Sequence, residues 1–399
     1  MRLLLLLLFL ALTTPALASD GVLEINQTCA TQTGCFAGDT AGWPVTITVP
    51  GSYRLTSNLR LSISLGGSQS ENFIDVLADD VSIDLGGFQI SCGRFLLEGS
   101  CSGAGSGVFV LGNSVNTGTS VKNGSIRGMA TSGISLGKRA HVSHLQSELN
   151  GQDGISAGGD STISGNTVFG NGDNGIAADD DSTISGNTVN GNGDNGIVVG
   201  RDSTVSGNTA NRNGGYGMLA SSGGANISGN TVNENGDRGI FAGNGSIVSG
   251  NTANGNQDIG IFAKNSIVSG NTANGNGGDG IFAENAVVSG NTANRNGGDG
   301  IQVVIDSLVA NNTCDANTGA GVHATGSGNR IDGNTATDNT AAQFDVDVGG
   351  NLVIRNSAAG GGPNFSQVVA GNTKGEVLDS TGPGGTITET TSAWANFSF

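Results

Sequence analysis

The sequence predicts an all-β solenoid: a single-stranded, right-handed parallel β-helix of about 21 residues per coil, with three short strands in each coil. Three observations predict it. The asparagine of the phrase SGNT, and of its variants, falls at Asn166, Asn187, Asn208, Asn230, Asn251, Asn271, Asn291, Asn312, Asn334 and Asn356, at steps of 20 to 22 residues. A glycine that precedes an apolar residue keeps the same beat from Gly133 to Gly321. Three apolar columns ride on that beat, and each sets one strand.

The first column lies three residues before each asparagine and is β-branched throughout, from Ile163, Ile184 and Val205 to Val353. The second lies two residues after it, from Val168 and Val189 to Ala336 and Ala358. The third follows the glycine, from Ile134, Ile155 and Ile176 to Val322. Short β-branched runs broken by Gly, Asn and Asp are strands joined by tight turns. One repeat cannot bury three apolar edges alone, but stacked coils can, with like residues lining one interior about 4.8 Å apart. Leucine-rich repeats share the length but need Leu at fixed offsets. Calcium-binding RTX rolls need a nine-residue unit. Neither pattern is present. The asparagine is read as the bend residue, tolerant of the left-handed conformation and able to stack its amide along the column.

Along the chain, residues 1–18 read as a signal peptide: Arg2, an apolar run and a small-x-small site at Ala16-Leu17-Ala18. The apolar run is too short to span a bilayer, so no integral membrane segment is expected. The expected destination is secreted: periplasmic, cell-surface or extracellular. Residues 19–50 form an N-terminal cap segment, 51–130 irregular first coils, 131–358 regular coils, and 359–399 a C-terminal tail or cap. In an oxidising compartment, Cys29 with Cys35 and Cys92 with Cys101 make two short-loop disulfides. Cys314 falls in an inward column and reads as a small buried hydrophobe. The formal charge of −17 excludes nucleic acid as a partner.

The phrases ISGNTVNGNGDNGI, VSGNTANGN, GSYRLTSNLRL and VLADDVSIDLGGFQI resemble secreted bacterial proteins with right-handed parallel β-helix repeats, of the pectate-lyase-like superfamily. The resemblance covers roughly residues 45 to 358. It implies the fold and leaves function wide, because lyases, hydrolases, epimerases and adhesins share it. The GHG, DD and RxK set of galacturonan hydrolases, the DPHE-like box of alginate epimerases and the Arg-rich region of pectate lyases are absent.

Strand alternation assigns the exterior. The residue after the GI isoleucine faces solvent, giving a column from Ser135 and Ser156 through Phe241, Phe262, Phe282 and Gln302 to His323. Phe241, Phe262, Phe282 and Gln302 are the candidate ligand-binding residues, with an extracellular polysaccharide or a surface partner as the occupant. If Phe344 takes the inward slot of Val322, Asp345 stands beside His323, and this pair is the weak catalytic candidate. Were the protein an enzyme, it would be of the polysaccharide lyase or glycoside hydrolase type. Asp160, Asp181 and Asp202 stack at one bend and are weak calcium candidates. Asn and Asp interchange there in later coils, which favours a turn role. No cofactor is firmly expected, and calcium is the one weak candidate. The leading reading is a binding protein. An epimerase, lyase or hydrolase with an unrecognised site, and a passive structural or adhesive solenoid, stay open beside it.

Overall fold

The computed structural model describes residues 21–61, 72–92, 105–110, 117–366, 368–379 and 392–399. The expected signal peptide lies outside them. A regular coil contributes three strands, the third reduced to a bridge at Thr272 in one coil. One coil supplies Ile176–Ala178, Thr183–Ser185 and Thr188–Asn190, and every one of them pairs in parallel with its counterpart in the next coil. The register is residue for residue: Ile176 faces Ile197, Ile184 faces Val205, and Val189 faces Ala210. The GI strands form a 15-stranded sheet in strict chain order, from Val45–Ile47 to Phe365–Ser366. The chain is therefore a parallel β-solenoid with a repeat of about 21 residues, as the period predicts.

The three apolar columns point inward. Ile163, Ile184, Val205, Val168, Val189, Ile155, Ile176 and Ile240 are all 0 or 1% exposed. Each such aliphatic side chain contributes about 1.5–3 kcal/mol by leaving water. The glycine before the isoleucine has a packing cause. A Cβ on Gly280 would lie 2.6 Å from Asn296 Nδ2 and 2.7 Å from the Gly300 carbonyl oxygen.

Of the two roles the sequence suggests for the asparagine column, the structure shows the stacked amide and gives the bend to another residue. The left-handed residue of the SGNT bend is the preceding glycine, with φ of 64° at Gly165 and 62° at Gly186. The asparagine turns its buried amide along the stack, as the sequence allows. Asn166 donates both its backbone N–H (3.0 Å) and its side-chain amide (2.9 Å) to Asn187 Oδ1, and also reaches the Val142 carbonyl at 3.0 Å. This ladder runs coil by coil to Asn356, whose last partner is Asn396 at 3.0 Å from the backbone N–H. A second buried ladder, from Asn150 and Asn171 to Asn339, ends on Gln343. A polar group inside a solenoid is tolerated only when it is satisfied, and these ladders satisfy it on both sides.

The ends are closed by irregular segments. Near the N-terminus, Leu23–Ile25 pairs with Gly51–Leu55, and a short π-helical turn at Cys29–Thr33 buries Ala30. The expected Cys29–Cys35 disulfide is present, with Cα atoms 4.6 Å apart. Cys92 is also disulfide-bonded, and Cys101 lies outside the described residues. Cys314 is free and fully buried, and burial pushes its thiol pKa up. At the far end, Asn396–Ser398 pairs with Ser357–Ala359 and supplies the terminal asparagine rung. The described part of the tail thus continues the stack beyond the last regular coil.

Candidate functional site

The candidate site is the outer face of the GI sheet. Its side chains alternate with the buried isoleucines, so every second residue of each strand points outward. Phe241, Phe262 and Phe282 occupy three successive rungs in register and are partly exposed. Their rings stack, with centroids 4.8 and 5.1 Å apart and interplanar angles of 14° and 3°. That spacing is the coil spacing, so the backbone imposes the stack. Tyr216, two residues before the strand Met218–Ala220, meets Phe241 edge-on at 5.9 Å.

Charged pairs edge the platform. Arg238 lies over Phe262 at 4.5 Å and over Phe241 at 5.7 Å, while its Nε bonds Asp258 at 3.0 Å. On the other edge, Lys264 pairs with Glu284 at 2.7 Å and lies 5.7 Å from the Phe262 ring. Both cations are neutralised by a neighbour, so the strip offers apolar aromatic surface between balanced charges.

The column continues without a break into polar chemistry. Phe282 pairs with Gln302, Gln302 with His323, and His323 with Asp345. Phe344 does take the inward slot opposite Val322 and is fully buried. The sequence therefore places His323 and Asp345 on adjacent rungs correctly. The hydrogen bonds, however, run elsewhere. His323 Nδ1 meets Asp299 Oδ2 at 2.7 Å, and its Nε2 meets Asp347 Oδ2 at 3.1 Å. Asp345 Oδ1 is buried with no hydrogen-bond partner. The hydrogen bond that Nδ1–H donates to Asp299 raises the His323 pKa to about 9, so the ring is an imidazolium at neutral pH. Burial pushes the Asp345 carboxyl up.

Asp299 and Asp279 enter from the turn before the GI strand. The Asp299 N–H donates to Asp279 Oδ1 at 2.7 Å, and the Ala320 N–H donates to Asp299 Oδ1 at 2.6 Å. Burial, with the Asp299 charge adding to it, raises the Asp279 pKa to about 6. These two residues were missed at the sequence level. Their signal is present, because each directly precedes the column glycine, at Gly280 and Gly300. Asp347 was also legible: it stands two residues after Asp345 and so leaves the strand on the same side.

The weak calcium candidates take a different geometry. Asp160, Asp181 and Asp202 sit at φ of 59°, 59° and 55°, and Asn265, Asn285 and Asp306 occupy the same bend at 48° to 49°. They are left-handed turn residues, which Asn and Asp tolerate best. Among the described residues, the group whose ligand atoms gather within reach of one ion is His323, Asp345 and Asp347, all within 4.8 Å of one another. A second apolar stripe, Ile247, Ile267 and Val287, lies exposed on another face and was not singled out in the sequence.

Residues 106–258 match the family model of the right-handed β-helix region. The chain is a right-handed parallel β-helix. Residues 218–307 of this β-helix also match the model of the periplasmic copper-binding protein NosD. That stretch holds no His or Cys, and its one Met, Met218, is buried at 2% exposure. It thus lacks the soft or imidazole donors copper requires, and the match follows the repeat. Among solved structures, the β-helix is similar to the A-module of the Azotobacter vinelandii mannuronan C-5 epimerase AlgE6. The identity is 16%, the likeness covers 77% of this chain and 90% of that one, and the TM-score is 0.51. It also matches a periplasmic alginate epimerase AlgG double mutant at 16% identity, over 69% of this chain and 74% of that one, with a TM-score of 0.36. The Dettilon tailspike protein matches at 14% identity, over 80% and 63%, with a TM-score of 0.39. At these identities the likeness is one of fold. No curated protein matches the chain by sequence.

Proposed function

We propose that this β-helix is an exported binding protein that holds an extracellular polysaccharide along the outer face of its GI sheet. The observation that carries this reading is the Phe241–Phe262–Phe282 stack, partly open to water on the outer face of a parallel sheet. Three phenyl rings presented outward and stacked on consecutive coils steady the sheet as cross-strand pairs and also leave a contiguous apolar strip at the surface, and apolar surface of this kind marks a contact. The exposed parts of the stacked rings form a continuous aromatic ridge that can pack against the apolar C–H surface of sugar rings, and a linear polymer matches a linear ridge. Gln302 extends the platform with an amide that can hydrogen-bond sugar hydroxyls. The net charge of −17 and the carboxylates at the end of the stripe favour a neutral glycan over an anionic one. Export rests on the amino-terminal signal-peptide pattern. No helix of the described residues is long and apolar enough to cross a membrane.

The test is a glycan array probed with the parent and with a Phe262→Ala/Phe282→Ala double variant. Both side chains point outward, so the fold is expected to survive their removal. The reading expects glycan binding by the parent and its loss in the variant; equal binding by both removes it. A catalytic reading is favoured by one observation, the His323 imidazolium held between Asp299 and Asp347 beside the platform, a group able to donate a proton. It expects new sugar ends or epimerised units from the bound glycan, abolished by His323→Ala.

A further inference from the structure

From the geometry at the end of the aromatic stripe, we infer a mononuclear site for a divalent transition-type cation such as Zn2+, ligated by His323 Nε2 and the carboxylates of Asp345 and Asp347. Ligand atoms from all three lie within 4.8 Å of one another. An ion at about 2.0–2.2 Å from each donor needs them at most about 4.4 Å apart, so binding draws the trio together by a few tenths of an ångström.

Three features make this more than a cluster of charges. The first is the orientation of the ring. His323 Nδ1 is engaged by Asp299 Oδ2 at 2.7 Å, on the side of the preceding turn. A carboxylate on Nδ1–H holds the ring in place, so that a cation displacing the Nε2 proton meets a correctly aimed nitrogen, which is how metal-ligating histidines are held. That other nitrogen, Nε2, faces Asp347 Oδ2 at 3.1 Å. The second is the orphaned oxygen. Asp345 Oδ1 is shut away from water with no hydrogen-bond partner, a costly state for a carboxylate and one that a cation relieves. The third is how the fold sets the donors. Asp345 is in register with His323 on the adjacent rung, and the buried Phe344 and Val346 on either side of it pin its strand. Two donors are thus fixed by the parallel sheet before any ion arrives.

The donor set chooses the ion. One imidazole nitrogen with two carboxylates suits zinc and its neighbours, whereas calcium prefers six to eight oxygens. The site lies outside the stretch that matches the copper-binding family model, so that match does not supply it. It is also distinct from the bend column of Asp160, Asp181 and Asp202.

The experiment is calorimetric titration of the metal-free full chain with ZnCl2 and, separately, with CaCl2. The expected result is one zinc per chain, with calcium binding far weaker or absent at the same site. His323→Ala is expected to abolish zinc binding, and Asp345→Asn and Asp347→Asn each to weaken it strongly. Asp299→Asn, which acts through the ring, is expected to weaken it about 10- to 100-fold. His141→Ala and His144→Ala, the other two histidines of the chain, are expected to change nothing. X-ray absorption of the zinc-loaded parent should show an imidazole among oxygen donors, and circular dichroism should show each variant folded. Zinc binding that survives His323→Ala, or a parent that takes up calcium but not zinc, or neither, overturns the inference. Its failure is separable from that of the glycan reading, because the Phe262→Ala/Phe282→Ala variant should bind zinc as the parent does.

Discussion

Replacing Asn271 by alanine tests what holds the coils in register. The Asn271 side chain makes four hydrogen bonds. Its Oδ1 accepts from the Asn251 backbone N–H at 2.9 Å and from the Asn251 amide at 3.0 Å. Its Nδ2 donates to the Val248 carbonyl at 2.9 Å and to Asn291 Oδ1 at 3.0 Å. The residue is 1% exposed, so water does not replace what is lost. The Asn251 amide keeps the Ile227 carbonyl, and Asn291 Oδ1 keeps the Asn271 backbone N–H. The Asn251 backbone N–H and one acceptor position of Val248 are left bare. At about 1 kcal/mol per bond lost, with about 1–3 kcal/mol for a fully orphaned buried group, the loss comes to about 4 kcal/mol. The matched control is Asn274→Ala on the outer, partly exposed column, where Oδ1 accepts a single bond from the Asn294 N–H at 2.9 Å. Water can serve that donor, so the expected loss is below about 1 kcal/mol. Urea unfolding of parent and variants, analysed by linear extrapolation, reads both values. Equal losses at the two positions would refute the claim that the buried ladder, and not merely the presence of asparagine, secures the stack.

Two further outcomes follow from the same coordinates. Gly280→Ala forces a Cβ into the Asn296 amide and the Gly300 carbonyl and is expected to destabilise strongly. Gly270→Ala, at φ of 63° with open space around its Cβ, is expected to cost only about 1 kcal/mol, read by the same unfolding assay. Asp279 has its folded pKa raised from 3.8 to about 6, so the folded chain holds that proton more tightly than the unfolded one. Its contribution to stability is therefore full below about pH 3.8 and is lost as the pH rises through about 6. Asp279→Asn keeps an oxygen for the Asp299 N–H and removes that loss. The variant should match the parent near pH 4 and exceed it at pH 7 by on the order of 1 kcal/mol. A parent as stable as the variant at pH 7 would contradict the burial of that carboxyl.

The fold was legible because one physical rule acts on every coil. A residue that must face inward does so at the same phase each time, and Ile184, Val189 and Ile176 repeat until the pattern outweighs local ambiguity. The same rule placed the three phenylalanines outward in one line and set Asp345 opposite His323. What escaped was set by turns, whose course the period does not fix. Asp299 reaches His323 from 24 positions earlier, because the turn before its strand folds over the next rung. Asn396 completes the asparagine ladder from 40 positions beyond Asn356, across a tail with no repeat to announce it. The bend is misassigned to Asn166 for a simpler reason, although its stacked amide is read correctly. Glycine and asparagine both suit a left-handed bend, and only the geometry shows that Gly165 takes the bend and frees the asparagine amide for the interior.

The most direct measurement of the central claim is hydroxyl-radical footprinting with and without a saturating glycan identified on the array. The account predicts that oxidation of Phe241, Phe262 and Phe282 falls together on binding, while Trp394, 53% exposed at the far end of the chain, reacts unchanged. Protection that appears on the Ile247, Ile267 and Val287 stripe instead, with the three phenylalanines as reactive as before, would contradict it.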